Sequence, residues 1–249
     1  MFTPDQRARV RSDLLKYATQ DQRISGAAIT GSAATDHEDK WSDIDLAFGL
    51  ADPADQQAVL FDWTSYMYEK HSALHHLDVV AGSWIYRVFL LPDTLQVDLA
   101  FVQATEFRPL APSFRLISGT ANEPRTFPTP APGGIIGLGW LHALHARSCI
   151  ARTRLWQAEY MISGVRDHAL ALACIRHGLP AVHGRGIDRL PRELTAQFEA
   201  ALVRQMNAAE LSRALRGAIK GFLAEVKAAD EKLGERLQET LVSLSEGLS

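Results

Sequence analysis

Residues 26–32 read GAAITGS and residues 41–50 read WSDIDLAFGL, and these two stretches decide the fold. Each contains the short run of apolar and β-branched residues that is typical of a buried strand. In a strand, the side chains of residues i and i+2 project from the same face. Asp43 and Asp45 are therefore predicted to point to one face of a sheet, while the apolar residues that alternate with them point into the core.

Two carboxylates that share a site repel each other unless a cation supplies the missing positive charge. Mg²⁺ is the expected cation, because it prefers oxygen ligands and often joins carboxylates to phosphates. A third carboxylate, Asp98, lies within LQVDLAFV at residues 95–102, where a charge in an apolar strand is costly unless it is paired or bound to metal. We expect Asp43 and Asp45 to contact two ions and Asp98 to contact one of them.

Gly31 and Ser32 close the first of the two strands. A glycine lets the backbone approach a ligand with no Cβ in the way, and the serine adds a hydroxyl and an N–H near a probable helix start. Phosphate oxygens are the natural partner for this pair. The plain structural alternative is that the aspartates are turn residues and a satisfied edge carboxylate.

A stretch rich in proline and glycine, NEPRTFPTPAPGG at residues 122–134, separates two halves of different character. We predict an α+β protein with a mixed domain at 1–124, a linker at 125–134 and an all-helical domain at 135–249. The expected strands are 26–30, 44–50, 77–81, 85–91 and 95–102, and the expected helices are 4–19, 53–71, 135–151, 154–177 and 191–247, the last broken near Asn207.

Composition excludes several classes of protein. The net charge of −3 divides near residue 124 into −7 before it and +4 after it, and neither half is basic enough for a nucleic-acid track. No signal peptide or membrane span is visible, and Cys149 and Cys174 lie in apolar helical patterns typical of reduced, buried thiols. We expect a cytoplasmic protein that does not bind membranes.

The signature formed by Gly31-Ser32, Asp43-Ile44-Asp45 and Asp98 resembles that of the DNA polymerase beta-like nucleotidyltransferase superfamily. The short first domain followed by helices resembles its aminoglycoside and lincosamide nucleotidyltransferase branch. The resemblance covers about residues 26–102 by motif and the remainder by layout alone. It implies a small mixed sheet flanked by helices, followed by a helical domain on the acceptor side.

The resemblance also implies a reaction: transfer of a nucleoside monophosphate, from ATP or another nucleoside triphosphate, to a hydroxyl of a small-molecule acceptor. That acceptor is an aminoglycoside- or lincosamide-like antibiotic if the role is drug resistance. Two alternatives remain open. One is nucleotidylation of a protein or tRNA, as in toxin systems, and the other is a nucleotide sensor without catalytic activity.

Four further residues or pairs are weaker candidates, each with a structural alternative. Glu159 is the best match to a base that acts on the acceptor, or it forms an intrahelical set with Ser163 and Arg166. Arg166 and Ser42 are candidates for contacts with the nucleotide, or they are ordinary surface and loop residues. The aromatic pair Trp156 and Tyr160 forms either an acceptor wall or interhelical packing.

A zinc site at His71 and His75 is a minor alternative that rests on their i, i+4 spacing.

Overall fold

In the computed structural model, which describes residues 1–125 and 131–246, the first unit is built on a six-stranded sheet. The order across the sheet is β3-β4-β5-β2-β1-β6, with β2 and β5 parallel and every other neighbouring pair antiparallel. The strands are β1 Ile24–Thr30, β2 Ile44–Leu50, β3 His75–Ala81, β4 Trp84–Leu90, β5 Gln96–Gln103 and β6 Phe114–Gly119.

Three helices belong to the first unit: α1 Pro4–Gln20, the single-turn α2 Gly31–Ala34, and α3 Gln56–His71. Thr3 caps the N-terminus of helix α1, because its Oγ1 accepts a hydrogen bond from the Gln6 N–H at 3.1 Å. A proline follows the cap, as is common at the first position of a helix. Short 3₁₀ turns at Pro53–Asp55 and Pro92–Thr94 precede α3 and β5.

The main core of the first unit lies on the sheet face that carries the even-numbered side chains of β2. Phe48 is fully buried there and packs 4.5 Å from the Trp63 ring of α3 and 5.4 Å from the Phe101 ring, between ring centroids. Leu14 of α1 belongs to the same cluster. The odd-numbered side chains of β2 face the other way, where Ala47 joins a smaller cluster around Phe107. Asp45 therefore lies on the face opposite the large core.

The second unit is helical: α4 Pro132–Ala151, α5 Leu155–Arg176, α6 Arg192–Gln197, α7 Ala208–Ala229 and α8 Glu231–Ser243. Two short 3₁₀ turns, Ile187–Arg189 and Phe198–Ala201, lie around α6. Helix α7 is the most buried, and Phe222 is its largest fully buried side chain. The buried Glu225 accepts two hydrogen bonds from Arg176 of α5 at 2.9 and 3.0 Å, so its charge is matched by a two-point contact.

The predicted α+β class is confirmed, and β2 has its predicted bounds. Strand β6 was not predicted, whereas helix α2 begins at Gly31, where a helix start was expected beside Ser32. The last helical segment breaks near Asn207 as expected, but a second break at Asp230 was missed. Asp230 ends α7, and its carboxylate caps α8 by accepting from the Leu233 N–H at 2.9 Å.

The chain divides into the units Met1–Phe127 and Pro128–Ser249. Half of the predicted linker, residues 126–130, lies outside the described residues, and α4 begins at Pro132, within the predicted linker range of 125–134. The described helices include none with the length and apolar character that a membrane crossing requires.

Candidate active site

Three carboxylates, one from β5, one from β2 and one from the residue just before β2, meet at one point. Asp43, Asp45 and Asp98 each offer an oxygen, and these oxygens all lie within 4.8 Å of one another. The strand pairing explains the meeting, because β2 and β5 run parallel with Asp45 directly opposite Asp98. Residues paired across adjacent strands project to the same face. The predicted convergence of Asp98 with the other two aspartates is therefore present in the structure.

Asp98 carries the electrostatic cost of this arrangement. The pKa of the Asp98 carboxyl is raised to about 6: burial is the largest cause, a hydrogen bond from Gln96 lowers the pKa, and the negative charge of Asp43 raises it. All three carboxylates are partly exposed. Ionising Asp98 is therefore costly in this cluster, and the three carboxylates are accessible to a ligand.

Gln96 is a member of the cluster that the sequence analysis missed. Its side-chain amide donates to Asp98 Oδ1 at 3.0 Å and to Asp43 Oδ2 at 3.3 Å. The amide thus bridges two carboxylates and offers them the partial positive charge of its N–H groups. Its position at i−2 from Asp98 in the same strand is the signal that would have found it, because such residues share a face.

Gly31 lies against the carboxylate of Asp45. Its φ of +64° favours glycine, and a Cβ built on it would lie 2.0 Å from Asp45 Oδ2. Any side chain at this position would therefore collide with the Asp45 carboxylate. Ser32 follows in α2, and its carbonyl accepts from the His37 N–H at 3.0 Å.

Ser42 adjoins Asp43, and its hydroxyl helps to form the loop that leads into β2. Ser42 Oγ accepts from the Asp39 N–H at 2.9 Å and donates to Asp39 Oδ1 at 3.1 Å. Hydrogen bonds from the Trp41 N–H and from Ser42 lower the pKa of the Asp39 carboxyl. Trp41 is 62% exposed, so it is not folded onto the domain.

The remaining candidates lie in the helical unit. Glu159 Oε1 accepts from Ser163 Oγ at 2.8 Å, which is the intrahelical contact considered above. Arg166 donates to Asp167 at 2.9 and 3.0 Å instead of joining that pair. Trp156 and Tyr160 are 79% and 67% exposed, so the interhelical packing interpretation is wrong.

The zinc interpretation also fails in the part of the chain that the structure describes. His71 ends α3 and His75 begins β3, so the two do not share a helix face. His71 instead packs its ring against Tyr66, 5.4 Å between centroids. Within residues 1–125 and 131–246, the aspartate cluster is the one group of three or more potential metal ligands.

No family model matches the chain, and no curated protein is similar to it in sequence. Solved structures are similar. An aminoglycoside 6-adenyltransferase from Bacillus subtilis is 13% identical over 94% of this chain and 96% of that one, with a TM-score of 0.39. A nucleotidyltransferase-like protein from Exiguobacterium sibiricum is 15% identical over 92% of this chain and 79% of that one, also with a TM-score of 0.39.

The polymerase core of TRAMP, an RNA surveillance complex, is 15% identical to this chain, with a TM-score of 0.34. The alignment covers 91% of this chain but only 58% of the TRAMP chain. Similarity at this level says nothing about an activity, which depends on the side chains described above.

Proposed function

We propose that this chain is a nucleotidyltransferase that moves a nucleoside monophosphate from a nucleoside triphosphate to a hydroxyl group. The observation that carries the proposal is the convergence of three carboxylate oxygens within 4.8 Å, beside a glycine whose backbone touches one of them. In the reaction, a bond forms between the acceptor oxygen and the α-phosphorus, the bond between the α-phosphorus and the bridging oxygen breaks, and pyrophosphate leaves.

The donor set fits Mg²⁺. Three carboxylates are hard oxygen ligands, and burial and the charge of Asp43 raise the pKa of Asp98, so a bound cation would relieve the cost of ionising it. We assign Asp43 and Asp45 to both ions and Asp98 to the ion nearer the acceptor. When bound, Mg²⁺ would neutralise the triphosphate and polarise the reacting phosphoryl group.

The residues of the chain would supply position and charge. Asp98 is placed to take the proton of the attacking hydroxyl, since its raised pKa of about 6 in the metal-free protein makes it a stronger base than an ordinary carboxylate. Because Gly31 has no side chain, the Asp45 carboxylate can lie against its backbone, and Gly31 stays a candidate for contacts with phosphate oxygens. Ser32, Ser42 and Arg166 stay candidates for nucleotide contacts, and Glu159 for orienting the acceptor.

The donor and the acceptor are assigned by resemblance. ATP is the proposed donor, and a small molecule with a free hydroxyl is the proposed acceptor. An aminoglycoside- or lincosamide-like antibiotic is the first class to test, because one solved structure similar to this chain is an aminoglycoside 6-adenyltransferase. The acidic first unit argues against a nucleic-acid acceptor, since such acceptors need a basic surface.

The test is magnesium-dependent release of pyrophosphate from ATP across a panel of aminoglycosides and lincosamides, with mass spectrometry of the product. We expect a product heavier than the acceptor by one nucleoside monophosphate. Asp45→Asn should abolish the product, whereas Asp5→Asn, a change at an exposed aspartate of α1, should not affect it. If Glu159→Gln shows normal turnover, the role of Glu159 is structural, as a partner of Ser163 within the helix.

The alternatives give different results in related assays. Incubation with ATP labelled at the α-phosphate and whole-cell macromolecules would label a protein or RNA band if the acceptor is macromolecular. A sensor would bind ATP and Mg²⁺ but release no pyrophosphate with any acceptor. The catalytic proposal is wrong if neither a small molecule nor a macromolecule becomes labelled while the nucleotide binds.

A further inference from the structure

Arg7 of α1 is a buried cation that lies under the loop leading into Asp43. Only 5% of the residue is exposed, and a guanidinium at such a position is costly unless its N–H groups find acceptors. Sequence patterning gives no reason for a buried arginine here, because it occupies a helix position that would otherwise hold an apolar residue. Its partners therefore indicate what it does.

The partners of Arg7 are backbone carbonyls of the loop. Nη1 donates to Asp39 O at 2.6 Å and to Ser42 O at 2.8 Å, and Nε lies 3.0 Å from Glu38 Oε1. One guanidinium thus contacts three loop residues, and the last of them is joined by a peptide bond to Asp43. The loop itself is exposed at Lys40 and Trp41.

Asp43 depends on this loop for its position. The ladder between β2 and β5 begins at the pair Ile44 and Val97, so the backbone of Asp43 lies just outside the paired strand. On its other side, Asp43 is attached to the turn formed by Asp39 and Ser42. A metal site needs its ligands held within about 0.5 Å of the binding geometry. The turn must therefore be fixed to the body of the unit, and Arg7 makes that connection.

We propose that Arg7 is a positioning residue, which holds the loop at residues 38–42 so that the Asp43 carboxylate stays within the aspartate cluster. The inference rests on the proposed function, since it takes Asp43 to be a metal ligand. It adds a residue from a different element, 36 positions earlier in the chain, to the parts that this site requires. Arginine is needed because its guanidinium reaches the two carbonyls through Nη1 and the Glu38 carboxylate through Nε at once, which a lysine ammonium with a single nitrogen does not reproduce.

Helix α1 offers a matched control one turn later. Arg11 Nη1 donates to the same Glu38 Oε1 at 2.6 Å, and the structure gives it no bond to the carbonyls of Asp39 or Ser42. Arg7→Gln and Arg11→Gln each remove one guanidinium from Glu38, but only the first removes the contact with the loop backbone. Arg7→Lys keeps the charge but puts one nitrogen in place of the separate Nη1 and Nε contacts.

The experiment is an EPR titration of Mn²⁺, used in place of Mg²⁺, at a temperature where circular dichroism shows every variant to be folded. We expect Arg7→Gln to weaken Mn²⁺ binding by about tenfold or more, the range found when residues supporting metal ligands are lost. Arg7→Lys should give an intermediate loss, and Arg11→Gln should stay within about twofold of the unaltered protein, because Arg11 contacts Glu38 and not the loop carbonyls beside Asp43.

A double variant separates positioning from a general effect on the fold. If Arg7 acts through Asp43, then adding Arg7→Gln to Asp43→Asn should cause no further loss of Mn²⁺ affinity. An independent, multiplicative loss would overturn the inference, as would a folded Arg7→Gln or Arg7→Lys variant with normal affinity. Absence of Mn²⁺ binding by the unaltered protein would instead refute the proposed function, and the inference with it.

Discussion

Replacing Asp98 by asparagine should stabilise the metal-free protein at neutral pH. Asparagine has nearly the same shape and keeps an oxygen that can accept the hydrogen bond from Gln96, so the change removes mainly the charge. Burial and the nearby charge of Asp43 raise the pKa of Asp98 to about 6 from an ordinary 3.8. The ionised form is therefore disfavoured in the folded protein.

The sign of the effect follows from proton binding. Between pH 3.8 and about 6, the unfolded chain has released the Asp98 proton while the folded chain retains it, so stability falls as the pH rises through that window. Above pH 6 the full cost is present, and below 3.8 it is absent. The advantage of asparagine should therefore be largest above pH 6 and should disappear near pH 4.

The pKa difference sets the magnitude. At about 1.4 kcal/mol for each pKa unit, the difference between 3.8 and about 6 corresponds to about 3 kcal/mol for a fully buried group. The Asp98 side chain is partly exposed, and solvent screening reduces the cost, so we expect a gain of about 1–2 kcal/mol. A gain of this size should raise the melting temperature of the first unit by about 3–8 °C.

The assay is thermal unfolding by differential scanning calorimetry in EDTA at pH 8 and pH 5, with Asp5→Asn as the control for removal of an exposed aspartate. Added Mg²⁺ should reverse the order at pH 8, because it stabilises the unaltered protein by binding the folded form. A variant less stable than the unaltered protein at pH 8 in EDTA, or equally stabilised at both pH values, would refute the electrostatic account of Asp98.

Three further predictions concern the same cluster. Asp43→Asn and Asp45→Asn should each lower the rate of pyrophosphate release by at least about a hundredfold. The melting temperature in EDTA should stay equal or rise, because repulsion between the carboxylates is relieved. A normal rate of release would remove these residues from the mechanism. Gln96→Leu should raise the pKa of Asp98 above about 6 in an NMR titration of the metal-free protein, because the hydrogen bond that lowers it is lost; an unchanged pKa would contradict that role. Gly31→Ala should cost about 1–3 kcal/mol of unfolding free energy, owing to the positive φ and the contact with Asp45; a chemical denaturation curve equal to that of the unaltered protein would show that the turn relaxes freely.

Local patterns predicted much of the first unit because local physics determines them. The alternation in residues 44–50 placed β2 at its observed bounds, and the i, i+2 spacing placed two aspartates on one face. Strand β6 was not predicted from the sequence, because it is an edge strand whose residues are mostly exposed. It therefore lacks the apolar pattern of a buried strand. The helix break at Asp230 was not predicted, because the apolar periodicity of a helix continues through both α7 and α8.

The sequence by itself determined which side chains could form the site: a pair of carboxylates in one strand, a glycine that closes the preceding strand, and a further carboxylate in an apolar run. Only the tertiary structure decided that Asp98 lies directly opposite Asp45, since that depends on β2 and β5 pairing in parallel at one register. It also decided that Arg7 reaches the loop before Asp43. Strand pairing and buried contacts join residues far apart in the chain, and the period of a single segment carries no information about its partner.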